Sequence, residues 1–141
     1  MKIAALQEMI EQDSKLDISN LDHNSLETAT LQAKYYNLYA NMSRDKRLIE
    51  NDLEEIRLFK FRYYKGQCEP AVYKEKPLHE SMTNAQAEAH ANTDPEVQKL
   101  SKQLDLLDIK LELVKDMKKS LDGRQWQIRN AIEFLKFKAG M

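Results

Sequence analysis

Glycine and proline are scarce in this 141-residue chain, which holds three of each. A β protein needs more turn residues than that, so the scarcity points to helices. The glycines stand at 66, 123 and 140. They are too far apart to form a phosphate-cradling loop, which excludes nucleotide binding of the P-loop kind. A single cysteine, Cys68, excludes an intramolecular disulfide and suits a reducing compartment. No apolar run approaches the roughly 20 residues of a membrane span. Met1-Lys2-Ile3-Ala4-Ala5-Leu6-Gln7-Glu8 meets an acidic residue too early for a signal peptide. The chain reads as soluble and intracellular. His23, His79 and His90 are scattered, with no ligand spacing among themselves or with Cys68. No metal or cofactor is expected, and His90 reads as solvated. No Ser/His/Asp or Cys/His arrangement emerges from the spacing. Glu54 and Glu55 lie in a mixed-charge stretch and read as solvent-facing. No enzyme is expected.

What is present is charge and helical periodicity. Charged residues make up 32 % of the chain, yet the formal net charge is only -1. Ile3, Leu6, Met9 and Ile10 predict a short amphipathic helix over residues 2–12. Residues 13–25, rich in Asp, Ser and Asn, read as a turn region, with Asn24 or Ser25 as a cap for the next helix. From about Leu26 to Tyr64 there is no Gly and no Pro. Leu31, Tyr35, Leu38, Met42, Ile49, Leu53 and Ile56 keep helical spacing there, which predicts one helix about 57 Å long at 1.5 Å per residue. Its apolar stripe is narrow, as in helices that pack against other helices or other subunits. Residues 67–93 carry little apolar content and read as an irregular loop or arm. Asp94-Pro95-Glu96 is a strong helix start, with an N-cap oxygen, proline at the first helical position and an acid near the positive dipole end.

Beyond that start, Val97, Leu100, Leu104, Leu107, Leu111, Val114 and Leu121 follow a heptad seam that Lys118 interrupts. Leu106, Ile109, Leu113 and Met117 add a second stripe. Two stripes imply contacts on two sides, which a higher oligomer supplies; the alternative is one broad core-facing stripe in a monomeric bundle. Gly123 interrupts the pattern. Trp126, Ile128, Ala131, Ile132 and Leu135 resume it, while Phe134 and Phe137 point elsewhere. The predicted class is all-α, with long helices in coiled-coil-like packing. The chain reads as a single domain, 1–141. Helices fill 1–66, a loop or arm spans 67–93, and assembly helices fill 94–141. The assembly candidates are Leu104, Leu111, Trp126, Ile128, Ile132 and Leu135.

Arg57-Leu58-Phe59-Lys60-Phe61-Arg62-Tyr63-Tyr64-Lys65-Gly66 interleaves four cations with four aromatics, and no acidic residue stands between Arg57 and Cys68. On a near-neutral chain this concentrates positive charge locally. Cations neutralise phosphates and rings stack on unpaired bases, so the pairing suits single-stranded nucleic acid. The DNA-binding candidates are Arg57, Lys60, Arg62, Tyr63, Tyr64 and Lys65. The plainer alternative is a helix end with Phe59 and Phe61 in a core and the cations solvated. A third reading, a basic membrane-surface segment, lacks a clean apolar face.

Gly123-Arg124-Gln125-Trp126-Gln127-Ile128-Arg129-Asn130-Ala131-Ile132-Glu133-Phe134-Leu135-Lys136-Phe137-Lys138-Ala139-Gly140 resembles the closing segment of the UvsY family, recombination mediators of tailed phages. Lys60-Phe61-Arg62-Tyr63-Tyr64-Lys65-Gly66 resembles that family's basic segment, which runs into Tyr-Tyr-x-Gly. Asp94-Pro95-Glu96 resembles the start of its next helix, and Tyr73-Lys74-Glu75-Lys76-Pro77 falls where members carry a short Pro-containing loop. The resemblance implies a single-stranded-DNA-binding protein that assembles into a ring-like homo-oligomer, a heptamer. It implies loading of a strand-exchange recombinase onto DNA covered by the phage single-stranded-DNA-binding protein, in the cytoplasm of an infected bacterial host. It also implies that Lys60 and Arg62, with Arg57 and Lys65 as neighbours, contact DNA, and that the C-terminal helix serves assembly. The alternative from another class is a helical oligomer or adaptor that binds only protein partners.

Overall fold

The structure, a computed structural model, describes residues 1–140. It is all-α: α1 Ile3–Asp13, a 3-10 turn Ile18–Asn20, α2 Leu21–Tyr64, α3 Pro70–Glu75, α4 Asn84–Thr93, α5 Pro95–Asp122 and α6 Arg124–Lys138. No strand occurs among the described residues. The backbone forms two compact units. The first contains residues 1–44 and the described residues from 107 onward; the second is Asp45–Leu106.

Two expectations are corrected. α2 begins at Leu21, not near Leu26. The 3-10 turn, capped by the Asp17 carboxylate on Ser19 N–H, feeds directly into it. Asn24, expected as a cap, is instead buried inside the helix, and its Oδ1 accepts from Asp17 N–H at 2.8 Å. The second correction concerns 67–93, which holds two helices. α4 starts with a capping box: Thr83 Oγ1 accepts from Gln86 N–H and Gln86 Oε1 accepts from Thr83 N–H. Its body is rich in alanine, the best helix former. Alanine burial is small, so the segment looks irregular when read by large apolar residues, yet Ala87 and Ala91 are fully packed.

In the first unit, Leu6, Leu31, Tyr35, Val114, Met117, Leu121 and Ile128 form the core. Each large aliphatic there contributes about 1.5–3 kcal/mol by leaving water. Asp13, the last residue of α1, joins three helices. Its Oδ2 accepts from Lys34 Nζ and from Tyr35 OH, both at 2.7 Å, and its carbonyl accepts from Arg124 Nη1 at 2.9 Å. Ser25 and Gln125 close a reciprocal pair between α2 and α6, at 2.9 and 3.0 Å.

The second unit has a slimmer apolar core of Leu53, Ala87, Ala91 and Val97, and it also buries Lys60 and Asp94. α2 ends in a Schellman motif: Gln67 N–H bonds Arg62 C=O and Gly66 N–H bonds Tyr63 C=O. Gly66 takes φ +74°, and a Cβ there would meet Ser81 Oγ at 2.7 Å. That close approach lets Met82 N–H reach the terminal Tyr64 carbonyl at 3.1 Å.

Burial pushes the Asp13 carboxyl up, but hydrogen bonds from Lys34 and Tyr35 and the charges of Lys34 and Arg124 outweigh it, holding the group below its ordinary value. A depressed folded value means stability present above the unfolded value of about 4 and lost as pH falls through the lower folded one. The melting temperature of the wild type is therefore expected to fall more steeply below about pH 4 than that of Asp13→Asn. Parallel acid losses in thermal melts of the two proteins would refute the assignment.

Candidate nucleic-acid interface

The last turns of α2 and the start of α5 build this region, all within the second unit. Lys60 is the decisive residue. It is only 7 % exposed. Its ammonium lies 3.5 Å from Asp94 Oδ2 and 3.3 Å from Glu96 Oε1. One helical turn later and on the same face, Tyr64 donates its hydroxyl to Asp94 Oδ2 at 3.1 Å. Asp94 Oδ1 accepts from Glu96 N–H at 3.0 Å, the N-cap expected from the sequence. One carboxylate thus caps α5 and holds two side chains of α2. Burial first, then the Asp94 hydrogen bond and charge, raise the Tyr64 hydroxyl above its ordinary value. It remains a proton donor at neutral pH.

The tyrosines form an ordered run of rings. Tyr63 stacks on Tyr73 with centroids 5.4 Å apart and planes 18° apart. Tyr63 meets Tyr64 edge-on at 5.1 Å, and Tyr64 lies 5.3 Å from the His90 ring. His90, expected to be solvated, is exposed but leans on this run. The Tyr63 hydroxyl donates to the Lys76 carbonyl at 2.9 Å, and the Tyr73 hydroxyl donates back to the Tyr63 carbonyl at 2.9 Å. Both tyrosines of the candidate set are therefore half-buried with hydroxyls engaged.

The remaining candidates face water. Arg57 and Arg62 are exposed, Lys65 is partly so, and Leu58 and Phe59 are exposed beside them. Spacings of three and four place Leu58, Phe59, Arg62 and Lys65 on one helical face. Arg57 lines a shallow groove on α2 and α4 with Glu54, Phe61 and Glu88. The structure thus divides the sequence-derived set: Arg57, Arg62 and Lys65 outward, Lys60, Tyr63 and Tyr64 inward. Sequence reasoning missed Lys76, Tyr73 and Glu96 as members of this cluster. No local signal marks them, because their partners lie many residues away.

The assembly candidates divide similarly. Ile128 is 2 % exposed and belongs to the core of its own chain, so a solvent-facing assembly role does not fit its placement. Leu104 and Leu111 are half-buried, and Ile132 and Leu135 are partly exposed. Trp126 is 66 % exposed. Phe134 and Phe137, left out by the sequence pattern, are 61 % and 81 % exposed. No helix of the described residues is long and apolar enough to cross a membrane.

A sequence profile for the family described as "Recombination, repair and ssDNA binding protein UvsY" matches residues 9–141. Crystal structures of the bacteriophage T4 recombination mediator protein UvsY share the fold. One, in lattice type II, superposes with a TM-score of 0.86 at 18 % identity, covering 99 % of this chain and 98 % of that one. Another, in lattice type IV, gives 0.84 at 18 % identity, covering 98 % and 99 %. No curated protein sequence matches the chain.

Removing the Lys60 charge leaves Asp94 buried with one cation fewer. Lys60→Met, which keeps most of the stem, is expected to destabilise the protein by about 1–3 kcal/mol. Arg62→Ala is expected to leave the urea midpoint unchanged. Equal midpoints for Lys60→Met and wild type would show that the ion pair contributes nothing to the fold.

Proposed function

The chain belongs to the UvsY family of recombination, repair and single-stranded-DNA-binding proteins, and from that membership we propose that it is a recombination mediator acting through the end of α2. It binds single-stranded DNA without strong sequence preference. It promotes loading of a strand-exchange recombinase onto DNA already covered by a single-stranded-DNA-binding protein, in the cytoplasm of a phage-infected host. It has no catalytic step of its own.

The observation that carries this reading is the outward face of α2. Arg62 and Lys65 are accessible cations there on a near-neutral chain, with Phe59 exposed beside them, and the exposed Arg57 lines the neighbouring groove with Glu54 and Glu88. Arginine suits phosphate because its fork donates two parallel hydrogen bonds. Phe59 offers a free ring for base stacking. Tyr63 and Tyr64 belong to the site as its frame, since their rings and hydroxyls already hold the helix end in place. Lys60 contributes charge from behind that surface.

Three accessible cations make a weak site. Linking identical weak sites raises avidity without any new contact, and the family resemblance implies a ring-like heptamer. The apolar surface that supports assembly is on α6, where Trp126, Phe134 and Phe137 are exposed and Ile132 and Leu135 partly so. An oligomer that covers these rings removes them from water at about 25 cal/mol per Å².

Anisotropy titration of a labelled single-stranded oligonucleotide is expected to show salt-sensitive binding, with a log-log slope of about -0.7 per neutralised phosphate. Arg62→Ala combined with Lys65→Ala is expected to weaken it about tenfold or more at moderate salt while the oligomer persists. A clean oligomer that ignores DNA would instead favour an adaptor that binds only proteins. Trp126→Glu combined with Phe137→Glu is expected to lower the mass seen by light scattering with helicity unchanged. An oligomer of undiminished mass would remove this face from the assembly.

A further inference from the structure

We propose that Glu96 is a built-in stand-in for a DNA phosphate, and that Lys60 and Lys76 form a concealed phosphate site that single-stranded DNA opens by displacing it. The inference rests on the reading of α2 as the DNA-binding element and adds a ligand pair and a gate to it.

One carboxylate oxygen, Glu96 Oε1, is approached by two ammonium groups, Lys60 Nζ at 3.3 Å and Lys76 Nζ at 3.7 Å. Two cations converging on one anionic oxygen is the arrangement a phosphate oxygen takes. The three side chains differ in freedom. The Lys60 side chain is 9 % exposed, that of Glu96 53 % and that of Lys76 68 %. Glu96 therefore stands at the solvent boundary in front of a buried lysine. Rotation about its side-chain bonds carries it into water with no backbone movement, because its N–H stays bonded to Asp94 Oδ1.

The charge balance favours an exchange over simple opening. Asp94, Glu96, Lys60 and Lys76 sum to zero, with the exposed Glu75 lining the same pocket. Asp94 keeps the Glu96 N–H and the Tyr64 hydroxyl whatever Lys60 does. Once Glu96 swings out, the space between Lys60 and Lys76 loses its carboxylate. A phosphate oxygen replaces that negative charge there. The Glu96–Lys76 contact is exposed on both sides, where a pair contributes little net stability, and Lys60 keeps Asp94 as a partner when Glu96 leaves, so the gate is light. Lys76 is not a chance neighbour: its carbonyl accepts from the Tyr63 hydroxyl at 2.9 Å, which fixes the segment after α3 beside the end of α2. This gives Tyr63 and the segment after Gly66 a definite task, holding the second lysine at the site.

The test is anisotropy titration of labelled oligothymidylate with the full chain, comparing wild type with Glu96→Gln, Lys76→Ala, their double variant, and Glu75→Gln as a control that removes a neighbouring charge. Glu96→Gln is expected to bind about two- to fivefold more tightly than wild type, the modest factor expected from removing one half-exposed carboxylate. Glu75→Gln is expected to gain less, Lys76→Ala to bind more weakly than wild type, and the double variant to lose the Glu96→Gln gain. Thermal melts verify that each variant is folded. Wild type that binds, with Glu96→Gln no tighter than Glu75→Gln, overturns the gate and leaves the DNA-binding reading standing. A double variant that keeps the full gain removes Lys76 from the site. Wild type that shows no salt-sensitive binding overturns the DNA-binding reading itself, and the gate with it.

Discussion

An aspartate at a helix boundary, paired with one lysine and accepting from one tyrosine of α2, anchors each unit of this protein. In the first unit Asp13 ends α1 and takes Lys34 and Tyr35. In the second, Asp94 begins α5 and takes Lys60 and Tyr64. The recurrence stems from the shape of α2. A helix of 44 residues with a narrow apolar stripe offers little hydrophobic area per turn to the helices beside it. Directional bonds to a charged acceptor, each stronger than a neutral hydrogen bond, set the register that packing alone leaves loose. Both aspartates keep several partners, which is the condition under which the buried Asp94 carboxylate and the partly buried Asp13 are tolerated.

That anchoring decides which cations are left for a partner. Four basic residues crowd into the end of α2, but they are not equivalent. The lysine at 60 is drawn inward, where a compact ammonium on a flexible stem can reach two carboxylates. The arginines at 57 and 62 face water, where a planar fork is suited to phosphate. A count of positive charge therefore overstates the accessible charge. It also misses that a single half-exposed glutamate stands in front of the inward lysine.

Much of this fold is legible in the sequence, and what is not has identifiable causes. The absence of Gly and Pro from Leu26 to Tyr64 marks α2, and Asp94-Pro95-Glu96 marks the start of α5 at the observed residue. α4 escapes notice because its packing residues are alanines, whose burial leaves little hydrophobic signal. The true start of α2 escapes because a 3-10 turn, not a capping side chain on Asn24 or Ser25, leads into it. At the candidate site, the composition of 57–65 locates the element but not its faces. Lys60 and Arg62 are two residues apart, and their opposite fates depend on Asp94 and Glu96, more than thirty residues downstream. The same blindness affects the tail: Ile128 and Trp126 share a pattern, yet one is core and the other presents its indole to water. Periodicity says that a helix has an apolar side; it does not say whether the chain itself or another copy covers it.

The tail also bears on how a weak DNA site can work. Trp126, Phe134 and Phe137 stand exposed along α6, although the same unit closes its core around Val114, Leu121 and Ile128. On the proposed reading, assembly through α6 multiplies the α2 sites, and each site then has reason to stay weak. A mediator must hold DNA while another protein displaces a third from it, so contacts that exchange one at a time serve better than a single tight one. On that reading, accessible arginines backed by a lysine under a displaceable glutamate would give graded affinity per subunit, and multiplication by identical subunits would turn those modest increments into firm binding that still comes apart stepwise.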